Sequence, residues 1–206
     1  MICVINIFVI HVYNICMKRE LANLQTKTLI ANSLKKLMNK KPLSKITITE
    51  IIQDCDINRK TFYYHFQDIN DLVKWILELE AFNVIKEYDV LKDYDKIIDF
   101  TIDYVQENTH IINCAYDSIG RDELKRFFYN DFISLAQKGI EECKQLHHFT
   151  LDPSFESFIC RFYTEAIAGI LVDGFTSKKT PDKAQIKHNV KVIFDSLPDV
   201  LRRANH

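Results

Sequence analysis

Residues 46–66 read ITITEIIQDCDINRKTFYYHF, and this stretch decides the fold of the N-terminal part of the chain. Thr47 and Glu50 have the S/T-x-x-E spacing of a capping box, which predicts that a helix begins directly after Thr47. Asn58 is a favourable N-cap for a second helix. Asp56 stands between them, where the chain needs a left-handed residue that Gly, and less easily Asp, can supply. The stretch therefore predicts two short helices joined by a tight turn.

The second of these helices has an apolar side and a polar side. Phe62 and Phe66 are four residues apart, so they share one face and are expected to point inward. The outer side carries two cation–aromatic pairs at the same spacing: Arg59 with Tyr63, and Lys60 with Tyr64. Two short helices with cations and aromatic rings on the outside have the layout of a helix-turn-helix that reads DNA.

The expected contacts with DNA follow from the chemistry of each side chain. Arg59 is the candidate for base readout, because its guanidinium can contact O6 and N7 of guanine together. Thr61 and Tyr63 are candidates for contacts with base edges or phosphates. Candidates for contacts with the DNA backbone are Lys45, Lys60, Tyr64 and His65. Thr47 and Thr49 lie at the N-terminus of the first helix, where free N–H groups suit a phosphate. Asn58, the cap of the second helix, is the last candidate.

These residues resemble the TetR family of transcriptional regulators. The family pattern is a helix, a short turn and T-x-Y-x-H-F, followed by a polar or acidic turn and a leucine. The sequence matches this pattern at six positions: Thr61, Tyr63, His65, Phe66, Asp68 and Leu72. Two positions depart from it, since Asp56 replaces the usual Gly and Ile69 replaces a Lys that usually contacts phosphate. The phrase YYHFQDINDLVKWI is similar to regulators found beside dihydroxyacetone kinase operons, and the specific match covers roughly residues 28–80.

Charge is distributed unevenly along the chain. Residues 17–67 contain ten Lys/Arg and four Asp/Glu, a net charge of +6, whereas residues 68–206 have a net charge of −7. A basic N-terminal module on an acidic body is the electrostatic pattern of a DNA-binding head. The chain contains only four Gly and four Pro, which favours helices throughout. The expected fold is all-α, with a three-helix DNA-binding head at 17–80 and a helical dimerisation and effector body at 81–206.

The sequence lacks motifs for catalysis or for a cofactor. No Gly precedes Gly120, which excludes a Gly-rich phosphate loop in the first half, and no nucleophile elbow is present. The six Cys have no C-x-x-C spacing, which is typical of reduced, buried cysteines in a cytoplasmic protein. His110 and Cys114 are four apart, but two ligands without partners make a poor metal site. We therefore expect no enzyme activity, no metal and no cofactor.

Residues 1–16 read MICVINIFVIHVYNIC and differ from everything that follows, because they are apolar and uncharged. They lack the cationic start and cleavage site of a signal peptide, and they are too short to span a membrane. We interpret them as the result of a start codon assigned too early, with Met17 as the first residue and no membrane partner. The alternative is an extension that touches a membrane or packs in a dimer.

Two further helices are predicted before the body, at about 20–39 and 69–88. The first has a buried stripe that consists of Ala31, Leu34 and Met38. The predicted helices of the body cover about 93–108, 122–145, 153–175 and 181–197, with a short segment at 108–120. Thr180 and Pro181 are expected to start the last helix, and Pro198 to follow its end.

Two features of the body allow more than one interpretation. The predicted helix at 122–145 contains a cluster of aromatic residues: Phe127, Phe128, Tyr129 and Phe132. These rings either line a ligand pocket or form ordinary core, and we prefer the second interpretation. The last two helices carry apolar stripes that either complete the monomer core or form a dimer interface: Phe155, Ile159, Phe162 and Ala166 on one, and Ile186, Val190, Ile193 and Leu197 on the other. The resemblance favours the dimer.

The resemblance implies a homodimeric regulator that binds a pseudo-palindromic operator in double-stranded DNA. A small-molecule effector or a protein co-regulator would act on the body. The alternative function is a helix-turn-helix that serves only protein–protein contacts, and the basic head argues against it.

Overall fold

The computed structural model describes residues 2–90, 92–176 and 182–205, and these form α-helices without any β-sheet. An isolated bridge between Leu151 and Asn205 is the one extended pairing within those ranges. The predicted all-α class is therefore confirmed. The helices are α1 (Ile2–Met38), α2 (Ile48–Asp54), α3 (Arg59–His65), α4 (Ile69–Leu77), α5 (Asn83–Lys86), α6 (Tyr94–Glu107), α7 (Thr109–Ile119), α8 (Arg121–His147), α9 (Pro153–Thr176) and α10 (Lys183–Arg203).

The chain divides into two compact units, residues 1–73 and 74–206. None of the helices in the described ranges combines the length and the hydropathy needed to span a membrane. The interpretation of residues 1–16 as a misassigned start stays a prediction, although the backbone of residues 2–16 continues α1 as a helix.

The N-terminal unit buries one face of α1 against the two short helices. Leu34 and Met38 are fully buried and Ala31 is nearly so, which confirms the predicted stripe. The buried hydroxyl of Ser33 donates a hydrogen bond to the carbonyl of Ile51, at 3.2 Å, and so satisfies a polar group inside this core.

The ends of α2 and α3 are fixed by the caps that the sequence predicts. The backbone N–H of Glu50 donates to the hydroxyl of Thr47 at 3.3 Å, and the N–H of Thr47 donates to the Glu50 carboxylate at 2.9 Å. Asn58 accepts a hydrogen bond from the backbone N–H of Thr61 at 2.8 Å. Asp56 has a φ of 49°, so the left-handed turn residue is also confirmed.

The single helix predicted at 69–88 is interrupted by a π-helical segment. Glu78–Phe82 is wound as a π-helix between α4 and α5, a feature that residue spacing does not reveal. Phe82 is 2% exposed, and its ring lies 5.5 Å from that of Phe128 and 5.1 Å from that of Phe132. The segment therefore directs an aromatic side chain into the core of the C-terminal unit.

The C-terminal unit is built around the antiparallel neighbours α8 and α9, with α6, α7 and α10 packed beside them. Gly120 separates α7 from α8 with a φ of 86°, a conformation that strains any residue with a side chain. The buried core at the end of α8 includes Ile140, Cys143, Ile159 and Leu201. The described cysteines 55, 114, 143 and 160 are buried as free thiols, as predicted.

The expected end of the last helix is wrong. Helix α10 does not end before Pro198 but continues through it to Arg203. Leu197 and Leu201 are both buried, so the core holds the helix together across the hydrogen bond that proline cannot donate. The helix begins after Asp182, whose side chain accepts hydrogen bonds from two backbone N–H groups. The expected cap at Thr180 and Pro181 lies outside the described residues.

The predicted apolar stripes of α9 and α10 also differ from the observed ones. On α9, Ile159 is buried but Phe162 is 56% exposed, so the two belong to different faces. On α10, Ile193 is 50% exposed and Phe194 is half-buried in its place. Both helices are apolar on more than one side, and spacing alone could not identify the inward side.

Removing the Phe62 ring should destabilise the N-terminal unit selectively. Phe62 is fully buried, so Phe62→Ala should cost about 3–5 kcal/mol by leaving a cavity. The matched control is Tyr64→Ala on the same helix, where the side chain is 67% exposed and the cost should stay within about 0.5 kcal/mol. Hydrogen exchange across residues 46–66 measures both, and equal protection in the two variants would contradict the assigned core.

Candidate nucleic-acid interface

Helix α3 presents one face to solvent and buries the opposite one. Phe62 and Phe66 are 0% and 3% exposed, with their ring centroids 6.0 Å apart. Arg59 and Lys60 are exposed, and Tyr63 is 49% exposed. The predicted division of this helix into a core side and a polar side is confirmed.

Arg59 and Tyr63 form a pair on the exposed face. The guanidinium carbon of Arg59 lies 5.7 Å from the centroid of the Tyr63 ring, and one guanidinium nitrogen lies 3.5 Å from the Tyr63 hydroxyl. This cation–π contact restricts the Arg59 side chain while leaving its planar fork at the surface. A restricted guanidinium loses less entropy when it binds a partner in two places.

Several predicted site residues are already engaged in the caps. The Thr61 hydroxyl donates to Asn58 at 3.1 Å, and the Thr47 hydroxyl donates to the Glu50 carboxylate at 2.9 Å. The ammonium of Lys41, together with the Thr47 amide, holds the pKa of Glu50 at about 2. A carboxylate therefore occupies the N-terminus of α2, where the sequence predicted room for a phosphate.

His65 is half-buried rather than a surface cation. Its Nδ1 atom is buried and has no hydrogen-bond partner among the described residues. Burial, and secondly the positive charge of Lys27, lowers the pKa of His65. The ring is therefore neutral near pH 7, and any contact it makes with DNA depends on hydrogen bonding and not on charge.

The remaining candidates lie at the surface around α3. Lys45 ends the short 3-10 turn at Leu43–Lys45, Thr49 lies in the first turn of α2, and Lys60 and Tyr64 are exposed on α3. The acidic groups of α2 are paired internally, since Asp54 contacts Lys36 at 2.5 Å and Glu50 contacts Lys41 at 2.5 Å. The N-terminal unit thus neutralises two of its few carboxylates within itself.

The C-terminal unit contains a cavity of about 880 Å³ that the sequence did not predict. Its walls come from α6, α7, α8, α9 and α10, together with residues at and after α5. Phe132 contributes to the wall, whereas Phe127 and Phe128 contact Phe82 at centroid distances of 5.8 and 5.5 Å. The aromatic segment is thus mainly core, as preferred, with one ring at the cavity.

The described residues hold no cluster of three or more His, Cys, Asp and Glu placed to bind a metal ion. The Cys114 sulfur and the His110 Nε2 atom are 3.9 Å apart, which is the contact that their spacing on one helix face produces.

A family model described as "Transcriptional regulator C-terminal region", of the TetR type, matches residues 92–196, which is about half of the chain. The chain belongs to the TetR family of transcriptional regulators. The matched segment lies in the body, so it supports the resemblance independently of the helix-turn-helix, where the sequence pattern was found.

Regulators of dihydroxyacetone kinase operons are among the similar proteins. This TetR-family chain is 26% identical over 145 residues to the HTH-type dhaKLM operon transcriptional activator DhaS of Lactococcus lactis, with 70% of this chain and 76% of that protein covered. The structure of a dihydroxyacetone kinase operon activator DhaS superposes with a TM-score of 0.67 at 21% identity, covering 85% of this chain and 97% of the other. The predicted resemblance to this branch is confirmed.

A second solved structure shares the fold. A TetR-family transcriptional regulator from Syntrophomonas wolfei matches with a TM-score of 0.60 and 19% identity, over 85% of this chain and 96% of that one.

The buried His65 ring predicts an acid-sensitive N-terminal unit. Because the folded-state pKa is lowered, the unfolded chain binds the proton more readily, so stability is full above the unfolded pKa of about 6.5 and falls below it. The thermal midpoint should drop from pH 7.5 to pH 5.5, and His65→Gln should reduce that drop. The same change at the exposed His188 is the control, and an equal effect there would contradict the role of His65.

Proposed function

We propose that this transcriptional regulator is a homodimer that places α3 of each protomer in the major groove of a pseudo-palindromic operator. The observation that carries the proposal is the Arg59–Tyr63 pair on the exposed face of α3, opposite the buried Phe62 and Phe66. A helix with this division can enter a groove without losing the packing that holds it to its own core.

The chemistry of the exposed face supports different roles for two adjacent cations, with Arg59 contacting bases and Lys60 contacting phosphates. Arg59 presents a planar fork that matches O6 and N7 of guanine, whereas Lys60 presents a point charge suited to a phosphate. Lys45 and Tyr64 extend the surface toward the DNA backbone. Asn58 and Thr47 contribute mainly by fixing the starts of the two helices, because their side chains are occupied in the caps.

The net charge of +6 on residues 17–67 supports DNA over a protein as the partner of α3. Contacts with phosphates release counterions, so DNA binding would weaken steeply with salt. A helix-turn-helix used only for protein contacts remains the alternative, and a flat salt response would favour it.

Exposed apolar side chains on the last two helices support the homodimer. Phe158 and Phe162 of α9 are 59 and 56% exposed, and Val192 and Ile193 of α10 are 53 and 50% exposed. Large apolar side chains exposed on these two helices favour an interaction site. Two copies of α9 and α10 would bury it as a four-helix bundle.

The body is the proposed site of control. The cavity that helices α6 to α10 line offers room for a small molecule. A protein co-regulator would bind the outer surface of the body instead. The relatives named as activators of dihydroxyacetone kinase operons support activation of a comparable operon as the specific role of this chain.

Arg59→Ala and Lys60→Ala should have different effects on DNA binding. Loss of the Arg59 fork should cost about 1–3 kcal/mol on the operator and relax the preference at one base pair in each half-site. Loss of the Lys60 charge should weaken binding to operator and random DNA about equally and reduce the salt slope by about 1. Titrations on both DNAs between low and high salt provide the measurement.

Both substitutions lie on the exposed face, so neither should change the folding of α3. The central proposal would be wrong if Arg59→Ala left both operator affinity and base preference unchanged in a folded protein.

Phe162→Glu should convert the proposed dimer into a monomer. A carboxylate in the middle of an apolar interface would lose its hydration without a partner. Sedimentation at micromolar concentration should give about 24.3 kDa for the variant and twice that for the parent. The matched control is Leu146→Glu on α8, where a large apolar side chain outside the two proposed interface helices is 68% exposed, and monomer formation there as well would argue against the assigned interface.

A further inference from the structure

We propose that the cavity of the C-terminal unit binds an uncharged, predominantly apolar small molecule. The proposal deepens the proposed function, on which it rests for the role of the cavity in regulation. The binding chemistry itself follows from the walls of the cavity.

The cavity has the size and lining of a small-molecule site. Its volume of about 880 Å³ lies within the usual range for pockets that enclose a drug-sized ligand. The walls are mostly aliphatic, as illustrated by Ile98 and Ile102 of α6 and by Ile140 of α8. Ala136 and Gly139 of α8 leave space where larger side chains would fill it.

Six of the described wall residues have polar side chains, and the other wall residues are apolar: Tyr94, Thr101, Gln106, Thr109, Asn113 and Tyr163. The Thr101 hydroxyl donates to the carbonyl of Ile97 at 2.7 Å, and the Thr109 hydroxyl donates to the carbonyl of Val105 at 2.8 Å. The Tyr94 hydroxyl contacts Lys191. The polar side chains can orient a few polar atoms of a ligand, while most of the wall offers only apolar contact.

No described residue in the cavity wall carries a formal charge. Two lysines of α10 pair with aspartates of α6 along the seam between the two helices, and Lys191 pairs with Asp195 within α10. Lys183 contacts Asp103 at 2.6 Å, and Lys187 contacts Asp99 at 2.8 Å. These two lysines do not favour an anionic ligand, because their charges are already neutralised by the aspartates of α6.

This arrangement discriminates against charged molecules. An ionised group that enters the cavity loses its hydration and finds no counterion, a cost that exceeds what nearby hydroxyl groups can return. A neutral group of the same length pays no such cost and gains from burial of its hydrocarbon. A small triose such as dihydroxyacetone gains little from the apolar walls and leaves most of the volume unfilled.

The test uses the neutral fluorescent probe N-phenyl-1-naphthylamine on the full chain without DNA. The probe should bind one site per chain and be displaced by 1-decanol. Decanoate has the same chain length but is ionised at pH 7.5, and it should displace the probe at least about tenfold less effectively. Dihydroxyacetone at the same concentration should not displace it.

A pair of variants locates the bound probe. Ala136→Phe places a ring in the cavity and should weaken probe binding at least about tenfold. Ala184→Phe adds the same ring at an exposed position of α10 outside the cavity wall and should leave binding unchanged. Unchanged binding in a folded Ala136→Phe variant would place the probe on the exposed apolar surface and overturn the proposal.

Operator binding by the same preparations separates this inference from the proposed function. The proposed ligand class would be wrong if decanol and decanoate displaced the probe equally. It would also be wrong if a protein that still binds its operator did not bind the probe. In both cases the proposed function would stand. Probe binding with the predicted selectivity by a protein that fails to bind DNA would support the ligand class and count against the proposed function.

Discussion

The burial of Phe62 is the constraint on which the DNA-binding surface depends. Helix α3 has only seven residues, so the position of one ring fixes the direction of every other side chain. With Phe62 and Phe66 inside, Arg59 and Tyr63 lie outside and within contact of each other. The caps at Thr47 and Asn58 set where each short helix starts and hence its rotation. A helix of this length has little stability of its own, and it persists because its apolar face is packed.

The N-terminal unit could be predicted almost residue by residue, because its signals are local. A capping box, an N-cap and a left-handed Asp56 each act over three or four residues, and all three appear as expected. Side-chain burial was the point at which local reasoning failed. His65 lies on the predicted helix, yet its pKa is lowered by burial and by the charge of Lys27, which is distant in the sequence.

The positions of the helices in the C-terminal unit could be predicted from the sequence, but the side of each helix that is buried could not. Helices α9 and α10 are apolar on several sides, so periodicity could not distinguish core, cavity and exposed surface. Pro198 shows the same limit, since a local helix-breaking signal is overridden by the burial of Leu197 and Leu201 on either side of it. The cavity arises from helices α5 to α10, which leave space between them, and no segment of sequence encodes such a volume by itself.

Helix α10 joins the features of the C-terminal unit that the proposed function requires. One side lines the cavity through Ile186 and Val190. A second side carries the lysines that pair with the aspartates of α6. A third side exposes Val192, which the proposed dimer would bury. Because one rigid helix carries all three sides, a ligand that displaces its cavity side must also shift the ionic seam and the dimer surface. In the proposed dimer, occupancy of the cavity and geometry of the interface would therefore be coupled through this one helix.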